Sequence, residues 1–146
     1  MIEKGDFMKN TSDFYNELKE ADSERALDRI MSDKAFRSIS FVDYYNALIE
    51  SRGLSKNKVI KASGISRTYA YQLLNGLRQP GRDNAIVLCI AGGFDLDETN
   101  RCLTLLKTGI LYAKDPRDAI IIYSITNKMS LEDTNALLYK KKLEAL

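Results

Sequence analysis

The chain contains no histidine and no tryptophan, only two cysteines and two prolines, and no long apolar run. Without histidine it lacks the side chain most often used as a general base or metal ligand near neutral pH. Cys89 and Cys102 stand in apolar, helix-patterned surroundings with no CxxC spacing, and two thiolates fill only half of a tetrahedral zinc shell. Both read as small buried hydrophobes, and no metal or cofactor is expected. No GxSxG or Walker A pattern occurs, and no cysteine lies beside a base. Asp97 with Glu98 and Glu132 with Asp133 look like carboxylate pairs, but both fall in expected first helical turns, where the helix dipole already accounts for them. Catalysis is therefore not expected. No apolar stretch, Ala119 to Tyr123 included, approaches the roughly 18 residues of a membrane span. The opening MIEKGDFMKN has no apolar signal core. A cytoplasmic location and no membrane partner are the expectation.

What is present fits an all-helical globular chain. Of the 146 residues, 45% are apolar and 29% charged, an ordinary balance for a domain with a core. The length allows one domain with an appendage, not two large domains. The net charge of +2 hides an uneven distribution: residues 1–40 sum to −2, residues 41–82 to +5 and residues 83–146 to −1. Nearly all the basic excess lies in about forty residues, a footprint suited to a polyanion.

Residues 1–40 are polar, but Leu27, Ile30 and Met31 have helical spacing after a cap at Asp22 or Ser23. One or two amphipathic helices are expected after a loose first ten residues. In Phe41 to Ser51, the side chains Phe41, Tyr44, Tyr45, Leu48 and Ile49 share a stripe, and Gly53 follows as a helix stop. Ser55 is placed to cap a helix over Lys56 to Ser63. Gly64 allows a sharp turn, and Ser66 is placed to cap a further helix over Arg67 to Leu74. Asn75-Gly76 and Pro80-Gly81 then mark turns.

Beyond this point the sequence repeats at an offset of 35 residues: RDNAIVLCIAGGFDLDETNRCL from Arg82 aligns with RDAIIIYSITNKMSLEDTNALL from Arg117. Each copy reads as a helical hairpin, with helices expected near 83–92, 96–108, 116–127 and 131–142. Asp95 and Glu98 fit a capping box, Ser130 and Asp133 a weaker one, and Asp115-Pro116 a cap followed by proline in the first turn. The period is close to that of tetratricopeptide arrays. Their Trp, Gly and Tyr pattern is absent, and two copies are few for a solenoid. A stacked pair of hairpins enlarging one core is expected instead.

Gly53-Leu54-Ser55, Val59, Ser63-Gly64-Ile65-Ser66, Asn75-Gly76 and Pro80 together resemble the phage-repressor and Cro-like helix-turn-helix family, also called the XRE family. The resemblance runs from Phe41 to about Leu106. It implies a lambda-repressor-like bundle (41–110), here with an N-terminal amphipathic segment (1–40) and an appended C-terminal hairpin (111–146) on the same core. In such an arrangement the second short helix, residues 67–74, enters a DNA major groove about 12 Å wide. Ala70, Leu73 and Leu74 would face inward and Arg67, Thr68, Tyr71 and Gln72 outward, these four being the expected base contacts. Arg67 matches guanine O6 and N7, Gln72 matches adenine N6 and N7, and Thr68 suits a hydroxyl contact or a thymine methyl. The family's pattern implies backbone contacts from Lys56, Ser66, Tyr69, Asn75 and Arg78. One departure is Ile60, where the family commonly has alanine at a close helix crossing; the larger side chain must rotate outward or widen that crossing.

The function expected is sequence-specific binding to double-stranded DNA by a bacterial or phage transcriptional regulator of repressor type, acting as a homodimer on a two-fold site. The alternative is a protein-interaction adaptor whose helix-turn-helix no longer binds DNA. A protein partner would then use residues 1–40 or 111–146.

Overall fold

The computed structural model describes residues 10–146, so apart from Asn10 the loose first ten residues expected from sequence lie outside the described residues. Among the described residues every regular element is helical, and no helix is long and apolar enough to cross a membrane. The chain divides between Ile39 and Ser40 into two compact units.

In the first unit, helix α1 (Thr11–Glu20) opens with a reciprocal cap. The Asn10 side-chain oxygen accepts from the Asp13 N–H at 2.9 Å, and the Asp13 carboxylate accepts from the Asn10 N–H at 3.0 Å. Helix α2 (Glu24–Met31) is capped by Ser23, not Asp22. A 3₁₀ turn over Lys34–Phe36 sets the Phe36 ring edge-on to Phe14, with centroids 5.4 Å apart. No residue of α2 is fully buried, and Leu27 and Met31 stay exposed.

The second unit, residues 40–146, contains α3 (Phe41–Ser51), α4 (Lys56–Ser63), α5 (Arg67–Leu74), α6 (Arg82–Ala91), α7 (Leu96–Leu105), α8 (Pro116–Thr126) and α9 (Leu131–Lys140). Helix α6 is its centre. Ala85, Ile86, Leu88 and Cys89 are completely buried, and the helix packs against α4, α7 and α9. Cys102 is equally buried. Burial pushes the Cys89 thiol well above its ordinary pKa, as an apolar setting should. Tyr45 reaches from α3 into this core and donates its hydroxyl to the Leu88 carbonyl at 2.5 Å.

The sequence repeat is also a structural one. Arg82 of the first copy grips Asp118 of the second through two hydrogen bonds of 3.0 and 2.8 Å. Arg117 of the second grips Asp83 of the first through two of 2.9 Å. Each arginine also donates to carbonyls in its own copy, Arg82 to Gly109 and Ile110 and Arg117 to Glu144 and Ala145. Asn100 accepts from the Leu111 N–H as Asn135 does from the Leu146 N–H. Helix α6 packs on α9 as α8 packs on α7. Such reciprocity relates the hairpins by a local two-fold; a solenoid step would carry contacts in one direction only.

The helix ends follow their caps. Asp95 and Glu98 make the full reciprocal box, whereas Ser130 accepts from the Asp133 N–H without a return bond. Asp115 caps α8, with Pro116 in its first turn. Helix α7 stops at Leu105, three residues short of expectation. Lys107 turns left-handed at φ 57°, and the Thr108 N–H closes on the Leu103 carbonyl.

Burial would raise the Asp118 pKa, but its hydrogen bonds from Arg82 and from the Tyr112 N–H outweigh burial and hold it below the usual carboxylate value. Asp118→Asn should lower stability at pH 7 by about 2–3 kcal/mol in urea unfolding, because it leaves Arg82 with a neutral partner. A depressed folded pKa contributes stability that is full above the unfolded value, about 4, and is lost as pH falls through the folded one. The gap between wild type and variant should therefore narrow only below pH about 4. A gap that stays constant into strong acid would mean that ionised Asp118 does not hold the hairpins together.

Candidate nucleic-acid interface

Helices α4 and α5 are eight residues each and are joined through Gly64, whose φ of +68° lies where side-chain-bearing residues are strained. Ser55 caps α4 by accepting from the Lys58 N–H. At the α5 N-terminus, Ser66 occupies the cap position, but its side chain makes no cap hydrogen bond, contrary to the sequence expectation. The Ser63 hydroxyl takes part in the turn instead, donating to the Ile60 carbonyl and accepting from the Ile65 N–H. The first N–H groups of α5 and the exposed Ser66 hydroxyl therefore stay open to a ligand.

Along α5, Ala70, Leu73 and Leu74 are completely buried, while Arg67 and Thr68 are exposed and Tyr69, Tyr71 and Gln72 half-buried. Arg67 and Tyr71, four residues apart on the helix, are in contact, with the guanidinium 5.7 Å from the ring centroid. The Tyr71 hydroxyl donates to the Asn57 side-chain oxygen of α4 at 3.0 Å. A second bridge runs from the Lys56 ammonium to the Asn75 side-chain oxygen at 3.1 Å. These contacts bring Lys56, Asn57, Arg67, Tyr71 and Asn75 into one surface. Arg78 is exposed in the turn after α5, its backbone N–H held by the Gln72 carbonyl.

Asn57 was not singled out by the sequence reading. As the second residue of α4 it resembles any solvent-facing amide, and only the packing of α5 across α4 brings it to Tyr71.

The basic excess of residues 41–82 is partly internal. Arg52 is bound to Glu98 and lies 5.4 Å from the Phe94 ring centroid, and Arg82 is bound to Asp118. Burial would raise the Glu98 pKa, but the hydrogen bonds from Arg52 and from the Asp95 N–H lower it overall. Among the cations of residues 41–82, Lys56, Lys58, Lys61, Arg67 and Arg78 carry no ion pair, so these five supply that segment's free positive charge. No group of three or more potential metal ligands occurs among the described residues.

Ile60 does not rotate outward: at 4% exposure it is part of the core beside Val59. Helix α4 packs against α5 and α6 with this larger side chain inside.

No protein-family model, curated protein or solved structure matches the chain.

Because Ile60 is buried, Ile60→Ala should cost about 2–4 kcal/mol in chemical denaturation through lost burial and a residual cavity. A loss below about 0.5 kcal/mol would mean that the side chain is solvent-facing in solution.

Proposed function

We propose that the chain is a sequence-specific double-stranded DNA-binding protein of the phage-repressor helix-turn-helix type, a transcriptional regulator that lays α5 in the major groove. The observation that carries this reading is the joined surface of α4 and α5. A basic and amide-rich edge of two short helices is tied by Lys56–Asn75 and Asn57–Tyr71, while the opposite face of α5 is completely buried. A helix anchored in this way leaves one side free for a groove of about 12 Å.

In this role Arg67 reads guanine with its in-plane N–H fork, and Gln72 and Thr68 read neighbouring bases. Lys56, Asn75, Arg78, the Ser66 hydroxyl and the open α5 N–H groups hold phosphates, with Tyr69 at the margin of that set. One such helix contacts few base pairs, so the reading includes a homodimer on a two-fold site with half-sites about 34 Å apart.

Selection from a random duplex pool should return a two-fold motif. Arg67→Ala should cost about 1–3 kcal/mol and relax preference at one base pair. Lys56→Ala should weaken all duplexes alike and lower the salt slope by about 1. If the pool shows no enrichment and binding shows no salt dependence, the DNA reading is wrong, and the adaptor alternative gains.

A further inference from the structure

We infer that Asn57 and Tyr71 form a positioning pair that aims Arg67 before any DNA arrives, so that base preference at the Arg67 position depends on a hydrogen bond between α4 and α5. This rests on the proposed reading of α5 as the DNA-facing helix.

Arg67 is exposed, and an exposed arginine samples many rotamers, whose restriction opposes binding. Its guanidinium lies over the Tyr71 ring at 5.7 Å. A guanidinium held in cation–π contact with a ring samples fewer rotamers, and those of its N–H groups not turned to the ring stay available for a guanine O6 and N7 pair. The seat is useful only if the ring itself is held. Tyr71 is half-buried, and its hydroxyl is fixed by donation to the Asn57 oxygen. Asn57 is exposed on α4, a different helix from the one it steadies. The hydroxyl proton of Tyr71 is thereby committed within the protein, which makes Tyr71 a support for Arg67 and not an independent base donor.

The fixed orientation should act on discrimination more than on general affinity. Asn57 and Tyr71 carry no charge, so losing either leaves the phosphate-binding cations in place. A misaimed Arg67 still attracts DNA as a point charge but loses its bidentate geometry.

The test uses the full chain and the variants Asn57→Ala, Tyr71→Phe and the double variant, each first shown to melt like wild type. In the free protein, the Arg67 side-chain N–H resonance should carry a ring-current shift that falls toward the random-coil position in Asn57→Ala. Two duplexes of the selected sequence, one with 7-deazaguanine at the Arg67-dependent position, are then compared by competition binding. Wild type should prefer the natural duplex. Each single variant should lose about 3- to 10-fold of that preference, the double variant should lose no more than either single, and salt slopes should stay unchanged. If the Arg67 resonance is unmoved in both single variants, the positioning pair is overturned, whatever happens with DNA. The same conclusion follows if the variants discriminate as wild type does. If wild type itself shows salt-dependent binding but no preference, Arg67 is not a guanine reader and the inference falls while DNA binding stands. If wild type binds no duplex at all, the DNA reading falls, and the inferred role of the pair falls with it.

Discussion

The hydrogen bond from the Tyr45 hydroxyl to the Leu88 carbonyl is the contact around which the second unit is arranged. Leu88 already accepts from the Gly92 N–H within its helix, so the tyrosine uses the remaining lone pair of a buried carbonyl 43 residues away. The ring is completely buried, and burial drives its pKa far above the ordinary phenol value, keeping it a neutral donor. The approach needs glycine at position 92: a Cβ there would meet the Phe94 ring at 2.9 Å and the Tyr45 oxygen at 3.1 Å. Phe94 in turn packs on Tyr45 with centroids 4.8 Å apart and lies beneath Arg52, whose partner is Glu98. The Tyr45 contact thus joins α3 to α6, and the Arg52–Glu98 pair ties the end of α3 to the start of α7.

With α6 held from the α3 side, its remaining faces are available to α4 and to the hairpin α8–α9. The reciprocal arginine–aspartate pairs give the second hairpin one orientation among the several that apolar packing alone would permit, because a bidentate fork tolerates little rotation. Part of the positive charge of residues 41–82 is used in this assembly, through Arg82. The free cations of residues 41–82 that remain lie on α4, on α5 and in the turn after α5.

The candidate site was legible in parts. Arg67 and Thr68 are exposed and Ala70, Leu73 and Leu74 buried because helical period alone separates those positions. Tyr71 has the right period but a different occupation: its hydroxyl is tied to Asn57, a partner fourteen residues away that no local pattern announces. Ser66 stands at a cap position by spacing, yet Ser63 takes over the hydrogen bonding in that turn. Ile60 offered two outcomes from sequence, and its burial excludes the outward rotation.

Sequence by itself determined the helices, most of their caps and the existence of the duplication, since these depend on residues within a turn or two of one another and on identity at a fixed offset. Only the tertiary structure decided which charges are free, how the two copies face each other and what the tyrosine hydroxyls bind. Those outcomes depend on contacts between residues tens of positions apart, such as Arg82 with Asp118 and Tyr45 with Leu88. Such pairs form only after apolar burial has brought the helices together, and nothing local in the chain encodes them.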